Sequence, residues 1–148
     1  MTLNNIATVP SAFPSWIKLA PGRGGAASGT GATIVFPHAG AAAASYRVLA
    51  AALAAGADTY VVQYPQRAER LGDPAHESVH DLAVGLFRAA PWPGVAPLTL
   101  FGHSMGGVVA FEFARVAEAL GPLRVLHDVG VGAGGQRRRE HPIARGGR

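Results

Sequence analysis

Leu98-Thr99-Leu100-Phe101-Gly102-His103-Ser104-Met105-Gly106-Gly107 runs from a short apolar strand pattern, through a serine flanked by glycines, into a helical pattern over Met105 to Leu120. A chain that leaves a strand and enters a helix within so few residues must turn sharply. Such a turn strains the serine backbone and lifts its Oγ above the sheet edge. Side chains at Gly102 or Gly106 would collide with neighbouring backbone there, so both glycines answer a steric demand. Ser104 also stands at a helix N-terminus, where unpaired N–H groups and the helix dipole favour developing negative charge. These features mark Ser104 as a candidate nucleophile and the Met105 N–H as one donor of an oxyanion hole. The plainer alternative is a glycine-rich turn whose serine merely caps the helix. A phosphate loop is excluded, because no Lys-Ser or Lys-Thr follows Gly106-Gly107 to meet the β- and γ-phosphates.

Working outward, Thr33-Ile34-Val35-Phe36 is a β-branched apolar run between Gly31 and Pro37 and predicts a strand buried on both faces. Thr59 to Tyr64, stopped by Pro65, predicts the next strand; Trp16 to Leu19 predicts a short first one, and Leu123 to Leu126 begins another. The alanine-rich stretch Ser45 to Ala55 predicts a helix closed by Gly56. Between Ser78 and Ala89 the apolar residues Val79, Leu82, Ala83, Leu86 and Phe87 recur at helical spacing, giving one apolar face. Gly121-Pro122 should stop the helix that starts at Met105. Pro21 to Gly31 reads as a loop. Its glycines precede a strand, whereas a dinucleotide site needs them after one. Strands alternating with helices predict an α/β fold with a mostly parallel sheet and helices on both faces.

The 148 residues suit one domain, and with 49% apolar and 15% charged residues the composition is that of a globular protein. There is no cysteine, which excludes disulfides and thiolate metal sites and fits a reducing compartment. The start at Met1-Thr2-Leu3-Asn4-Asn5 has no signal-peptide pattern, no run is long enough to span a bilayer, and a cytoplasmic location is expected. The net charge of +4 lies wholly in the last stretch, where six arginines from Arg124 to Arg148 face Asp128 and Glu140. Residues 1–120 hold seven basic and seven acidic side chains. The arginine-rich end has no aromatic residue for base stacking and no periodicity, so neither nucleic acid nor membrane is expected as a partner.

A second segment, Phe36-Pro37-His38-Ala39-Gly40, lies at the carboxyl end of an earlier strand, where this architecture draws its other oxyanion donor. The Ala39 N–H is the candidate. His38 reads as a structural loop histidine, and His103 as a residue that orients the turn rather than the general base. Together with Gln63-Tyr64-Pro65, Arg67, Arg70 and Phe111-Glu112, these motifs in this order make the chain, from about Trp16 to Leu126, resemble the type II thioesterases. Those are stand-alone α/β-hydrolases that accompany nonribosomal peptide and polyketide synthases. The segment Ile6 to Lys18 resembles the mycobacterial siderophore-associated branch. The resemblance implies hydrolysis of acyl thioesters on the phosphopantetheine arms of acyl or peptidyl carrier proteins, with no cofactor and no metal. Two positions depart from the family pattern: Ala41 and Gln66 stand where glycines are usual, removing tolerance of positive φ at each.

A serine nucleophile needs a base, and the base an orienting carboxylate. In this fold they follow in the order Ser, Asp or Glu, His. Asp128 and His141 satisfy that order, but they fall in a glycine- and arginine-rich stretch and are read as incidental polar residues. His76, His80 and His127 are weaker candidates, and His80 is expected on the solvated side of its helix. The expected organisation is residues 1–126 as the N-terminal portion of a hydrolase domain. Residues 127–148 then form a tail foreign to the family, of the kind a shifted reading frame in GC-rich DNA would produce. The rival readings are a general carboxylesterase or lipase of the same fold, and a carrier-protein-binding fragment without catalysis.

Overall fold

The computed structural model describes residues 13–22, 31–95, 97–121 and 125–126. Its five strands are β1 (Ile17–Ala20), β2 (Ala32–Phe36), β3 (Asp58–Val62), β4 (Leu98–Gly102) and β5 (Val125–Leu126), arranged β1-β3-β2-β4-β5. Every pairing is parallel except β1 with β3. The helices are α1 (Arg47–Leu53), α2 (Val79–Ala89) and α3 (Met105–Leu120).

Alternation along the strands builds two apolar layers. Ile34, Phe36, Tyr60, Val62, Leu98 and Leu100 face α2 and α3, while Val35 and Val61 face α1 with Ala43, Tyr46 and Ala50. The first layer is the heavier. Trp92 is fully buried there, its Nε1 donating to the Leu86 carbonyl at 2.9 Å, with Phe113 5.7 Å away edge-on and Phe36 tilted against Phe113 beyond. Phe13 lies flat on Tyr60 at 4.6 Å and closes the layer near β1. Each large side chain removed from water here contributes about 1.5–3 kcal/mol. Helix α2 begins at a cap in which Ser78 Oγ accepts the Asp81 N–H at 3.0 Å. At the sheet's antiparallel edge the Arg70 guanidinium lies 4.0 Å above the Trp16 ring, donates to the Gln63 carbonyl and pairs with Asp73.

The α/β architecture, the strand assignments and the bounds of α3 follow the sequence expectation. The helix expected from Ser45 to Ala55 is shorter and compound: a 3-10 turn over Ala43–Tyr46 leads into α1. Tyr46 sits at φ −101°, ψ 7°, outside the α region, and its side chain is tied to two loops, so the α ladder starts only after it. The first strand is antiparallel, which nothing in its own residues dictates. His80 is exposed, as expected of a solvated residue, yet its Nδ1 pairs with Glu112 Oε1 on α3 at 2.8 Å. That hydrogen bond, with Arg115 adding to it, holds the Glu112 carboxyl below the usual carboxylate range. Residues 127–148, with the tail expected there, lie outside the described residues.

The topology fixes where a site can form. From β2 the chain crosses through α1 to β3 on one side, and from β4 it crosses through α3 to β5 on the other. The carboxyl ends of β2 and β4 are neighbours, with Phe36 opposite Gly102, and their loops diverge. A crevice opens at such a switch point in an open α/β sheet.

Candidate active site

At the end of β4 the backbone reverses within one residue. Ser104 adopts φ 54°, ψ −119°, the first central position of a type II′ turn, and the turn closes with Gly106 N–H donating to the His103 carbonyl at 2.9 Å. That conformation favours glycine, and a serine there is strained by about 1–3 kcal/mol. The neighbouring glycines make the strain possible. A Cβ on Gly106 would overlap the Phe36 carbonyl and come within 2.6 Å of the Pro37 oxygen. One on Gly102 would meet the Gly107 nitrogen at 2.5 Å. The His103 N–H donates to the Phe36 carbonyl at 3.1 Å, strapping the elbow to the end of β2.

Ser104 is exposed and its side chain makes no capping hydrogen bond. The capping alternative therefore loses its support, since a capping serine accepts an N–H from the first turn. Met105 opens α3, so its N–H has no acceptor one turn back. Across the crevice, Ala39 is exposed in the Pro37-Gly40 loop, and no hydrogen bond engages its N–H among the described residues. Gly40 holds φ 80° with open space around it, so its glycine serves conformation rather than room. Tyr64 Oη, deeply buried and pushed upward in pKa chiefly by that burial, donates to the Pro37 carbonyl at 3.0 Å and braces the loop from below.

His38 and His103 both turn toward Tyr46 instead of Ser104. The Tyr46 Oη lies 2.5 Å from His38 Nδ1 and 2.8 Å from His103 Nδ1, and it accepts the His38 N–H at 2.9 Å. Both histidines bond to Tyr46, and neither bonds to Ser104. Tyr46 itself escaped the sequence reading, because a tyrosine inside an alanine-rich run signals only a buried ring. Among the described residues no histidine or carboxylate bonds to Ser104. Asp128 and His141 lie outside the described residues, as does His127.

The two departures from the family pattern resolve differently. Ala41 is buried without positive φ and needs no glycine. Gln66 holds φ 60° and Ala68 φ 43°, so this turn carries real strain, pinned by Gln66 N–H donating to the Arg70 carbonyl at 2.8 Å. Gln66→Gly is expected to stabilise the protein by about 0.5–1 kcal/mol, the strain relieved minus the added freedom of the unfolded chain. A urea midpoint that stays put or falls would contradict this. Beside Met105 a groove of about 300 Å³ opens between Tyr64, Pro65, Arg67, Leu82 and Val109. Among the described residues no cluster of histidine and acidic side chains is arranged to hold a metal ion. No helix among them is long and apolar enough to cross a membrane.

The family model of the thioesterase domain matches residues 33–139. Over 117 residues the chain is 56% identical to the phenyloxazoline synthase MbtB of Mycobacterium tuberculosis, covering 78% of this chain and 8% of that protein. It is 42% identical over 95 residues to the thioesterase TesA of Mycobacterium marinum, covering 62% of this chain and 37% of that one. Among solved structures, the type II thioesterase BorB from the borrelidin biosynthetic cluster superposes with a TM-score of 0.61 at 37% identity, covering 72% of this chain and 42% of BorB. The chain spans less than half the length of each of these proteins.

Proposed function

The chain belongs to the thioesterase-domain family, and from that premise we propose that Ser104 is the nucleophile of a hydrolase that releases acyl groups from carrier proteins of nonribosomal peptide or polyketide assembly. The observation that carries the reading is the backbone of Ser104: strained, exposed, uncapped, and placed at the switch point beside the Ala39 loop. Strain persists where the surrounding structure over-determines it, and it gathers at functional sites.

In this reading Ser104 Oγ adds to the thioester carbonyl carbon as a base takes its proton. The Ala39 and Met105 N–H groups hold the oxyanion. The C–S bond then breaks, and the phosphopantetheine thiolate leaves with a proton. Water hydrolyses the acyl-serine to free acid and regenerates the hydroxyl. The groove beside Met105 receives the acyl chain. With no base bonded to Ser104 among the described residues, acylation is expected to be slow. Turnover at a rate typical of complete thioesterases would assign the base and its partner to residues beyond Leu126, where Asp128 and His141 stand in the required order.

The test compares the 148-residue chain with Ser104→Ala on an acyl-pantetheine thioester and on the oxygen ester of the same acid. Thiol release that depends on Ser104 and exceeds oxygen-ester cleavage is expected. Equal release by both proteins would overturn the reading, and a preference for the oxygen ester would point to a general esterase. The second reading is a carrier-protein binder without catalysis, since among the described residues no base bonds to Ser104. Binding of the carrier that survives Ser104→Ala, with no hydrolysis by either protein, would establish it.

A further inference from the structure

We propose that Tyr46 is a positioning residue whose hydroxyl clasps the His38 loop and the Ser104 elbow at a single oxygen and so sets the two oxyanion donors against each other. Its catalytic consequence rests on the reading of Ser104 as nucleophile; the clasp itself does not. Three groups converge on Tyr46 Oη: the His38 N–H at 2.9 Å, His38 Nδ1 at 2.5 Å and His103 Nδ1 at 2.8 Å. Ala39 follows His38 directly, and Met105 stands two residues after His103. One oxygen therefore holds both arms of the hole.

The proton count at that oxygen is restrictive. A phenol donates one hydrogen and accepts at two lone pairs. The His38 N–H fills one lone pair, which leaves one donor and one acceptor for two imidazole nitrogens. One Nδ1 must be bare and accept the phenol hydrogen; the other must carry hydrogen and donate. Two bare nitrogens would compete for a single hydrogen, and two protonated ones would crowd the remaining lone pair and strand the phenol hydrogen. The roles that fit the two distances follow from this count. The 2.5 Å contact fits O–H donation to a bare His38 Nδ1, and the 2.8 Å contact fits Nδ1–H donation from His103. The histidine rings meet edge-on at 5.0 Å.

The oxygen does something the ring does not. The Tyr46 ring is buried against Val35, Ala50 and Val61, which a phenylalanine would reproduce. Other bonds anchor the base of the loop, at the Phe36 and Pro37 carbonyls. Beyond Pro37 the loop closes on itself, Ala41 N–H donating to the His38 carbonyl at 3.2 Å. Among the described residues, hydrogen bonds from His38 to the body of the protein run through Tyr46.

The experiment reads imidazole nitrogens and backbone amides in the full chain by NMR, beside steady-state kinetics. In the wild type, His38 should show a bare Nδ1 and His103 a protonated one. The same state at both would overturn the clasp. In Tyr46→Phe the split should vanish and the Ala39 and Gly40 amides should gain motion. The kcat for an acyl-pantetheine thioester should then drop roughly 10- to 100-fold with KM nearly unchanged, as displaced oxyanion donors require. Unchanged amide motion with kcat within about twofold of wild type would overturn the positioning role. If the wild type cleaves no thioester, the Ser104 reading fails while the nitrogen and amide signals still decide the clasp. Should Tyr46→Phe fail to fold, His103→Phe cuts one arm from the exposed side. His103→Gln, which keeps a donor within reach, should restore the amide order that His103→Phe loses.

Discussion

Ser104→Gly is expected to eliminate serine-dependent thiol release and, in the same protein, to raise Tm by about 3 °C. The two effects have separate causes, the loss of the hydroxyl and the relief of backbone strain. At φ 54°, ψ −119° the serine occupies a conformation that glycine adopts freely. Relieving that strain is worth about 1–3 kcal/mol, and the greater freedom of glycine in the unfolded chain takes back about 0.4–1 kcal/mol. The net is near 1 kcal/mol in favour of the variant, because the exposed Oγ makes no capping bond that would be lost. Ser104→Ala is the control: it removes the same oxygen but keeps the strained Cβ, so its Tm should stay close to wild type. Calorimetry on the three proteins decides the matter. A glycine variant no more stable than the alanine variant would mean that the elbow stores no strain.

Gly106→Ala should be severely damaging, costing about 3 kcal/mol or more. The added carbon would overlap the carbonyl of Phe36, a backbone atom that cannot swing aside. Helix α3 cannot retreat either. Val109, Ala110 and Phe113 seat it in the core, and its first turn presses on Gly102. Against a typical stability of about 5–15 kcal/mol, such a loss would appear as a large fall in the urea midpoint or as insoluble protein. Gly40→Ala offers the contrast, with positive φ but open space, and should cost about 1 kcal/mol. A Gly106→Ala protein within 1 kcal/mol of wild type would refute the steric account of the elbow.

What could be read from the residues divides by the range of the cause. The β4–elbow–α3 unit was legible because each demand is local: apolar pleat, two glycines for close approach, helical periodicity ended by Gly121-Pro122. The position of the Ala39 loop was legible for the same reason, lying just past a strand end. The direction of β1 was not, since Ile17 to Ala20 reads alike in either orientation and only pairing with β3 selects one. The late start of α1, the Tyr46 bonds to His38 and His103, and the His80–Glu112 pair were likewise hidden. Each joins groups eight to 57 positions apart and leaves no periodic trace. Gln66 lay between these cases. Its missing glycine was visible in the sequence, but the strain it bears became visible only in the backbone φ of the folded turn.

The two tryptophans sit in unlike surroundings, one sealed between the sheet and α2–α3, the other half-buried under the Arg70 guanidinium at the antiparallel edge. Trp92 should emit as an indole in an apolar medium, and Trp16 as one quenched and shifted by its cationic neighbour. Intrinsic fluorescence of this chain therefore carries two separable colours. Unfolding followed at each reports whether the edge strand parts from the sheet before the layer behind the serine gives way.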